Sequence, residues 1–272
     1  MTHAWLIIAH NEWGILQRLL SMLDAPECDF YVHIDKKVKE LPHLKVKKGR
    51  LIMLENRVDV RWGSVSQIQC ELTLFEAAAA SGPYDFYHII SGVTMPLKPF
   101  EDVDAWFAGH SGKNIFSGLC QSTSNQETLK VRRYNFFLRN FTSRSAFRRE
   151  ISQFLWKSAI ALQRFLHIEA NRGKVFYKAS NWVSLTEEAV QYLLGRKKEI
   201  LRAYRYSFCG DEFFVPSELM ASPLKNTIAN EEKYLLHNIA RSNAATYHLD
   251  EYSRLCGTDY IFARKFTGKC IG

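Results

Sequence analysis

The feature that most constrains the fold is an early alternation of strand-like and helix-like segments. A continuous apolar run, AWLIIAH at residues 4–10, is followed by EWGILQRLLSMLD, in which leucines recur on one helical face. A second apolar run, DFYVHID at residues 29–35, completes a strand–helix–strand unit within about thirty residues. Because such crossovers join parallel strands, this unit predicts a parallel pair in an α/β sheet.

The alternation continues further along the chain. RLIML at 50–54 and YDFYHIIS at 84–91 predict two more strands, and SVSQIQCELTLFEAAAA at 64–80 predicts a long helix between them. The chain has 272 residues, of which 47% are hydrophobic, and it contains no low-complexity linker. It is therefore long enough for one large globular domain or two small ones.

Polar residues follow several of these predicted strands. They are His10 and Asn11 after the first strand, Asp35, Lys36 and Lys37 after the second, and Ser91 and Gly92 after a later one. Ligands of open α/β sheets bind beyond the carboxyl ends of the strands, so we expect a ligand crevice here. No GxGxxG or GxxxxGK[ST] segment occurs, which excludes the glycine-rich phosphate loops of dinucleotide enzymes and P-loop NTPases.

Charge and cysteine content narrow the partners and the compartment. The formal net charge of +8 and the pI near 9.1 indicate attraction to nucleic acid, a phosphorylated small molecule or an anionic bilayer. The six cysteines are scattered, without CxxC or zinc-site spacing, which predicts reduced thiols in a cytoplasmic protein. The apolar run at 4–9 is too short for a signal peptide or a membrane span.

Residues 130–178 differ in composition from the rest of the chain. They contain twelve Lys and Arg residues but only two acids, Glu150 and Glu169, with apolar residues at helical spacing between Phe147 and Leu166. This pattern favours an amphipathic helix that lies on an anionic membrane surface. The alternative is a helix packed into the core with a solvated basic face. We expect no nucleic-acid partner.

Two adjacent carboxylates, Asp211 and Glu212, directly precede Phe213, Phe214 and Val215. Burial against such apolar residues raises the cost of a negative charge, as in acids that are tuned to exchange protons. The alternative is an acidic pair that caps a helix beginning near Phe213.

Seven segments, in order along the chain, resemble the core-2/I-branching N-acetylglucosaminyltransferase and peptide-O-xylosyltransferase family. They are LIIAHNEWGILQRLLSMLD, FYVHIDKK, VDVRWGSVSQIQCELTL, YDFYHIISGVTMPLKP, ASNWVSLTEEAVQYLL, DEFFVPSELMASP and IFARKF. The resemblance covers most of the chain outside residues 117–172. It implies an α/β GT-A fold with a mixed central sheet flanked by helices, a UDP-sugar donor, a glycan hydroxyl as acceptor, inversion at the anomeric carbon, and no divalent metal or other cofactor.

The resemblance assigns the chemistry to the last third of the chain. Glu212 matches the general base of the family, and its hydrophobic flank is expected to raise its pKa toward the working range. Lys265 in IFARKF matches one of two basic residues that neutralise the leaving diphosphate. The second matches Arg241 in NIARSN, with Lys233 as the alternative.

The resemblance also implies contacts to the nucleoside, the sugar and the acceptor. The nucleoside positions are Ile8, Ala9, His10, Asp35, Lys36, Lys37 and Asp59, with Val60 as the alternative to Asp59. The sugar and acceptor positions are Ser180, Asn181, Trp182, Asp211, Arg133 and Tyr134. Trp62 is expected in the core. Thr94 stands where family members often carry an acid, so a contact near the acceptor or a turn is expected to differ.

These assignments predict a single GT-A domain with three parts: residues 1–116 bind the nucleotide-sugar, 117–178 form a basic insertion facing the acceptor or a membrane, and 179–272 carry the catalytic and diphosphate-binding residues. Eukaryotic relatives carry a membrane anchor and disulfides. Because this chain lacks both patterns, we expect a cytoplasmic, bacterial enzyme at the inner face of the membrane, acting on a lipid-linked acceptor of surface polysaccharide or lipooligosaccharide.

Two other functions remain open from the residues. A metal-dependent transferase would use the DxD segment formed by Asp102 and Asp104, although these acids lie at the start of a predicted helix, where they favour its dipole. A non-catalytic protein on the same fold would bind a polyanion or a membrane without turnover.

Overall fold

The computed structural model describes residues 1–237, 239–240, 243–244 and 246–268, and for residues 125, 239, 240, 243 and 244 it describes the backbone alone. The strands are β1 His3–Ala9, β2 Cys28–Ile34, β3 Arg50–Met53, β4 Phe86–Ser91, β5 Met95–Pro96, β6 Asn114–Phe116, β7 Cys120–Gln121, β8 Tyr177–Lys178, β9 Ser184–Leu185, β10 Ile228–Asn230, β11 Leu235–His237, β12 Ile239–Ala240, β13 Asn243–Ala244, β14 Tyr247–His248, β15 Phe262–Arg264 and β16 Phe266–Thr267. The helices are α1 Trp13–Met22, α2 Ser66–Ala79, α3 Phe100–Ala108, α4 Asn125–Arg132, α5 Ala146–Phe165, α6 Glu187–Gly195, α7 Lys197–Ala203, α8 Phe214–Met220 and α9 Tyr252–Cys256.

A seven-stranded mixed sheet forms the centre of the fold, with strand order β10-β6-β9-β4-β1-β2-β3. Strand β1 pairs in parallel with both β2 and β4, and β9 runs antiparallel to its neighbours β4 and β6. The predicted strand–helix–strand unit is therefore confirmed, as is the α/β class with a mixed sheet flanked by helices. Because β1 lies between β2 and β4, the order of the strands reverses at β1, and ligand crevices form at such switch points.

Burial of the central strands explains their composition. Every residue of β2 and β4 is buried, and β1 is buried except at Ile8, because helices cover both faces of a mostly parallel sheet. Trp5 and Tyr31 are among the largest side chains that are fully enclosed. The sheet thus gives a rigid support to the residues that follow its carboxyl ends.

A smaller three-stranded sheet, β11-β15-β5, lies next to the end of β4. Strand β15 pairs in parallel with β11 and antiparallel with β5, so that Arg264 lies opposite His237. This sheet carries the C-terminal basic segment back to the loop that follows β4. A backbone hydrogen bond of 2.9 Å from Phe266 to the Val93 carbonyl fixes this approach.

Helix α6 begins with a side-chain cap and an acidic first turn. The Thr186 hydroxyl accepts a hydrogen bond from the backbone of Ala189, and Glu187 and Glu188 occupy the first turn. The predicted amphipathic helix in the basic segment is also present as α5.

Candidate active site

The carboxyl ends of β1, β2 and β4 meet at one edge of the central sheet. The backbone N–H of Asp35 donates to the Ala9 carbonyl at 2.9 Å, and that of Gly92 donates to the Ile8 carbonyl at 2.9 Å. His10 follows directly and is exposed at this edge. The structure thus brings together the first of the predicted nucleoside-binding residues at the switch point of the sheet.

Lys37 links Asp35 and Asp59, two further predicted nucleoside-binding residues, through ion pairs. Its ammonium group lies 2.6 Å from the buried carboxylate of Asp35 and 3.1 Å from that of Asp59, and it donates to the Val60 carbonyl at 2.5 Å. Lys36 is exposed, and its backbone N–H donates to the Val58 carbonyl at 3.1 Å. These contacts hold the loop after β2 against the segment that precedes α2.

Arg264 is the least expected residue in this region. Its side chain is only 8% exposed, yet none of the described residues offers it a carboxylate. Instead, the guanidinium lies 4.5 Å from the centre of the Trp182 ring, and its Nε donates to the Ser91 hydroxyl at 3.3 Å. A buried cation without an acidic partner among the described residues is costly, and its charge is left available to an anion.

Groups around Arg264 add to the same positive potential. Burial, followed by the charges of Arg264 and Lys265, lowers the pKa of His237 to about 4. Partial burial, followed by the charge of Arg264, also lowers the pKa of Lys265. His10 keeps an exposed surface but is partly enclosed, and this partial burial lowers its pKa. The charge of Asp35 opposes the shift, and the charges of Lys37 and Lys265 add to it. Lys265 therefore lies within electrostatic reach of the strand ends and of Arg264.

Glu212 lies on a short 3-10 turn, Gly210–Glu212, that precedes α8. Its side chain is 31% exposed and forms ion pairs with Lys130 at 3.2 Å and with Lys178 at 3.7 Å. The backbone carbonyl of Glu212 accepts a hydrogen bond from the backbone N–H of Ala179. This bond holds Glu212 next to residues 179–182, the segment that contains Trp182. A partly exposed carboxylate thus lies beside residue 179 of the segment that, three residues later, carries the Trp182 ring under Arg264.

The hydrophobic enclosure expected around Glu212 surrounds Asp211 instead. Asp211 is buried, and burial followed by the negative charge of Glu212 raises its pKa to about 7. Its Oδ2 accepts a hydrogen bond from Gln67 at 2.9 Å, whereas Oδ1 has no partner among the described residues. The N-cap residue of helix α8 is Phe213, which has no side-chain cap hydrogen bond, and the two acids lie on the 3-10 turn that precedes it.

A second buried acid lies near Asp211. Glu71, one turn after Gln67 on α2, is fully enclosed, and burial followed by the charge of Asp211 raises its pKa far above the usual range. Asn181 lies beside it and favours the ionised form, but neither Glu71 oxygen forms a hydrogen bond of normal geometry with a described residue. An isolated buried carboxylate is very unfavourable, so Glu71 is held as the neutral acid.

The segment Ser180–Trp182 links the two halves of the site. The backbone of Ser180 donates to the Ser117 carbonyl at 2.9 Å, and Trp182 is buried beneath Arg264. Asn181 points the other way, toward Glu71. Trp182 therefore offers its ring to the guanidinium, which leaves less of its surface for stacking on a sugar than the sequence predicts.

Arg133 and Tyr134 have their contacts at a separate cavity. They line a cavity of about 100 Å³ together with Arg202 and Tyr206. Arg133 donates to the Ile168 carbonyl at 2.8 Å, and the Tyr134 backbone is fixed by Gln163. No described contact joins either residue to Glu212 or Lys265.

A larger cavity of about 310 Å³ is also separate from the predicted site. Lys174, Arg196, Arg202 and Glu218 are among the residues that line it, and none of the predicted site residues does. The buried carboxylate of Glu218 already pairs with Lys174 and Arg196. The strand ends have the more distinctive chemistry, because Arg264 is buried there without a carboxylate among the residues that the structure describes.

Two of the alternatives from the sequence are placed elsewhere. Asp104 accepts hydrogen bonds at 2.9 Å from the N-terminal amine and from His3, at the amino end of β1 and thus at the opposite edge of the sheet from His10. Lys233 is exposed and paired with Asp259 at 2.5 Å. Arg241 lies outside the residues that the structure describes.

Trp62 corrects another expectation. It was expected in the core, but it is 51% exposed because the RWG segment forms a surface turn. Its ring packs on Phe141 and Phe208, with centroids 6.2 and 5.2 Å away. The next residue, Gly63, accepts a backbone hydrogen bond from Cys209, so this exposed aromatic ring lies near the turn of Glu212.

Thr94 fills the position where the family often has an acid. It is buried, and its hydroxyl lies 2.8 Å from that of Ser91, which in turn accepts from Arg264. Sequence reasoning overlooked Arg264 itself. The available signal was a second cation directly before Lys265 in the IFARKF segment.

Comparison with known proteins identifies the family. The chain is 25% identical over 122 residues to human N-acetyllactosaminide beta-1,6-N-acetylglucosaminyl-transferase, which is 43% of this chain and 30% of the relative. It is 24% identical over 212 residues to xylosyltransferase oxt of Drosophila pseudoobscura pseudoobscura, which is 73% of this chain and 22% of the relative. The alignments thus span less than a third of each relative.

Among solved structures, that of apo mouse xyloside xylosyltransferase 1 aligns with 99% of this chain and 98% of its own, at 9% identity and a TM-score of 0.41. A likeness of that degree carries no conclusion about this protein. The model of the Core-2/I-Branching enzyme family, in contrast, matches residues 3–261. The chain therefore belongs to the Core-2/I-branching enzyme family.

Proposed function

We propose that this protein is an inverting, metal-independent glycosyltransferase of GT-A fold that moves a sugar from a UDP-sugar to a hydroxyl of a glycan. The observation that carries this proposal is Arg264, which is buried without a carboxylate among the described residues, lies beside Lys265, and bonds to Ser91 at the carboxyl end of β4. Two cations there can neutralise a diphosphate in place of a metal ion. The two curated relatives carry names that indicate transfer of N-acetylglucosamine and xylose, so these sugars are the first donors to test.

In the proposed reaction, the acceptor oxygen attacks the anomeric carbon from the face opposite the diphosphate. The proton of the acceptor hydroxyl passes to the carboxylate of Glu212, while the bond between the anomeric carbon and the phosphate oxygen breaks. The electron pair leaves with UDP, whose charge Arg264 and Lys265 stabilise. Lys130 and Lys178, which pair with Glu212, fix its position on the wall of the site.

The loops after β1 and β2 are the proposed nucleoside site. His10, Asp35 and Asp59 converge there, and Lys37 holds the two carboxylates in place. Trp62, exposed near the turn of Glu212, is a proposed contact for the acceptor, because the faces of sugars pack well on aromatic rings.

A surface glycan on a lipid carrier, assembled at the cytoplasmic face of the membrane, is the acceptor that we propose. The free state of the described cysteines is consistent with a reducing compartment. Among the described helices, none is both long enough and apolar enough to cross a membrane.

Release of UDP from a panel of UDP-sugars tests this function. The wild type is expected to hydrolyse one donor slowly in EDTA, and Glu212→Gln is expected to lower that rate by about 10² or more, since it removes the general base. Glu199→Gln, which changes an exposed glutamate of α7, is the matched control and should retain the wild-type rate. Turnover that requires Mn²⁺ would contradict the metal-independent mechanism.

A further inference from the structure

Helix α5 is inverted relative to an ordinary surface helix. Its buried face contains polar residues, among them Ser152 and Gln163, whereas most of its large apolar residues face solvent. The exposed residues are Phe147, Ile151, Phe154, Leu155, Leu162 and Phe165, and Phe165 is 79% exposed. Their spacing of three, four and seven residues places them in one stripe. This observation disagrees with the alternative of a core-packed helix with a solvated basic face.

Polar groups on the buried face of α5 form hydrogen bonds inside the protein, and these bonds fix the orientation of the helix. The Gln163 amide donates to the Tyr134 carbonyl at 2.9 Å, and the Ser152 hydroxyl donates to the Phe137 carbonyl. Trp156 donates from Nε1 to the Asn135 side chain at 2.9 Å. Turning the apolar stripe inward would break these bonds, so its exposure is built into the fold.

Basic residues flank the stripe on both sides. At 100° per residue, Arg148 lies on one side of the stripe, and Lys157 and Arg164 lie on the other, all three exposed. The exposed Glu150 lies on the side of Lys157 and Arg164, so the two margins together carry three cations and one acid. The surrounding segment 130–178 carries twelve basic residues and two acids. An apolar stripe between two basic margins is the pattern of helices that lie in the plane of a membrane, with the apolar side chains among the lipid tails and the cations at the headgroups.

We propose that the outward face of α5 binds the surface of an anionic lipid bilayer. A second copy of the chain fits less well, because two such faces would bring two strongly basic segments together. Nucleic acid also fits less well, since six large apolar side chains have no partner in a phosphate backbone.

Membrane contact at α5 would also orient the active site, a point that rests on the proposed function. Asn135, which Trp156 of α5 holds, donates to the Lys130 carbonyl at 3.0 Å. Lys130 in turn forms the ion pair with Glu212. Two hydrogen bonds, through Asn135, thus connect helix α5 to the backbone of Lys130, and Lys130 pairs with the proposed base Glu212. This arrangement suits an acceptor that is anchored in the same membrane.

Co-sedimentation of the full chain with vesicles tests the inference. The protein is expected to bind vesicles containing phosphatidylglycerol and to bind pure phosphatidylcholine vesicles at least tenfold less, with binding that weakens as salt increases. The triple substitution Phe147→Ser, Phe154→Ser, Phe165→Ser should lower binding at least tenfold. Leu41→Ser, at an exposed leucine outside α5, is the control and should bind like the wild type.

Circular dichroism of the triple variant checks that the fold is retained. A second variant, Arg148→Gln, Lys157→Gln, Arg164→Gln, should lose most of the salt-dependent part of vesicle binding. It tests the same face of α5 if the serine variant does not fold. Wild-type protein that remains unbound with anionic vesicles at low salt would overturn the inference. So would a dimer in solution that the serine variant dissociates while vesicle binding is unchanged. Vesicle binding without UDP release would instead contradict the proposed function.

Discussion

At the scale of single residues, the buried arginine explains most about the site. Arg264 has lost its hydration and has gained no carboxylate among the described residues, so burial lowers its pKa to about 10. Such a cation lowers the stability of the protein without ligand, and a bound anion would offset that cost by pairing with it. The ring of Trp182 and the hydroxyl of Ser91 hold it in place until then.

Arg264→Met tests this interpretation. The dissociation constant for UDP in EDTA, measured by calorimetry, should rise at least about tenfold, because a charge-assisted hydrogen bond contributes about 1.5–3 kcal/mol. The free energy of unfolding without ligand should stay equal or increase, since an unpaired buried charge is removed. Arg205→Met, at an exposed arginine, should change neither quantity. Unchanged UDP affinity in Arg264→Met would show that this cation does not meet the diphosphate.

Asp211 gives the protein a pH-dependent stability. Its folded-state pKa is raised from 3.8 to about 7, so the folded state keeps a proton that the unfolded state has already lost. This group should therefore lower the free energy of unfolding as the pH rises from about 4 to about 7, by up to about 1.4 kcal/mol per pH unit.

Urea unfolding of the wild type and Asp211→Asn between pH 5 and pH 8 measures this effect. The asparagine keeps an acceptor for Gln67 and cannot ionise, so the stability of the wild type relative to the variant should fall as the pH rises. The charge of Asp211 also raises the pKa of Glu71, so the difference between the two proteins measures Asp211 together with its effect on Glu71. Parallel pH profiles would mean that Asp211 does not titrate in this range.

Residue identities predicted some of the site and not the rest. The strand-end rule and the family resemblance both selected His10 and Asp35, and the structure places them together. Neither could select Arg264, because its burial depends on pairing between β15 and β5, segments that are distant in sequence. The same limit explains why Trp62 was wrongly expected in the core. A large aromatic residue favours burial, and only the fold shows that its turn lies on the surface.

At the scale of elements, local sequence signals predicted where helices and strands form but did not predict how they pack. Strands β1 to β4 and helices α2 and α6 follow from apolar runs, periodicity and the Thr186 cap, which are all local. The orientation of α5 does not, because periodicity shows that a helix has two faces and cannot show which face the protein covers. Its buried polar face depends on carbonyls of residues 134–141 that only the fold brings near.

Thr186→Ala tests whether the cap of α6 stabilises the protein. The substitution removes the acceptor for the Ala189 backbone and should lower the free energy of unfolding by about 1 kcal/mol. Thr186→Ser keeps the hydroxyl and should lose much less. Equal losses in the two variants would indicate that the methyl group, rather than the cap, contributes the stability.

At the scale of the whole molecule, the two edges of the central sheet have different tasks. The carboxyl edge carries His10 and faces the Arg264 cluster, whereas the amino edge carries His3 and Asp104 in contact with the N-terminus. The double variant Asp102→Asn, Asp104→Asn should therefore lower thermal stability through lost contacts to His3 and the N-terminus but retain UDP release in EDTA. Loss of that activity in a folded variant would contradict the placement of the site.

The anomeric configuration of the transfer product shows whether Glu212 assists a single displacement. A single displacement assisted by Glu212 must invert the anomeric carbon. With the donor that the UDP-release panel selects, proton NMR of the first product from an α-linked UDP-sugar should show a β-linkage from the earliest time points, and Glu212→Gln should form that product at least about 10² more slowly. An α-linked product would contradict a single displacement and, with it, the role proposed for Glu212.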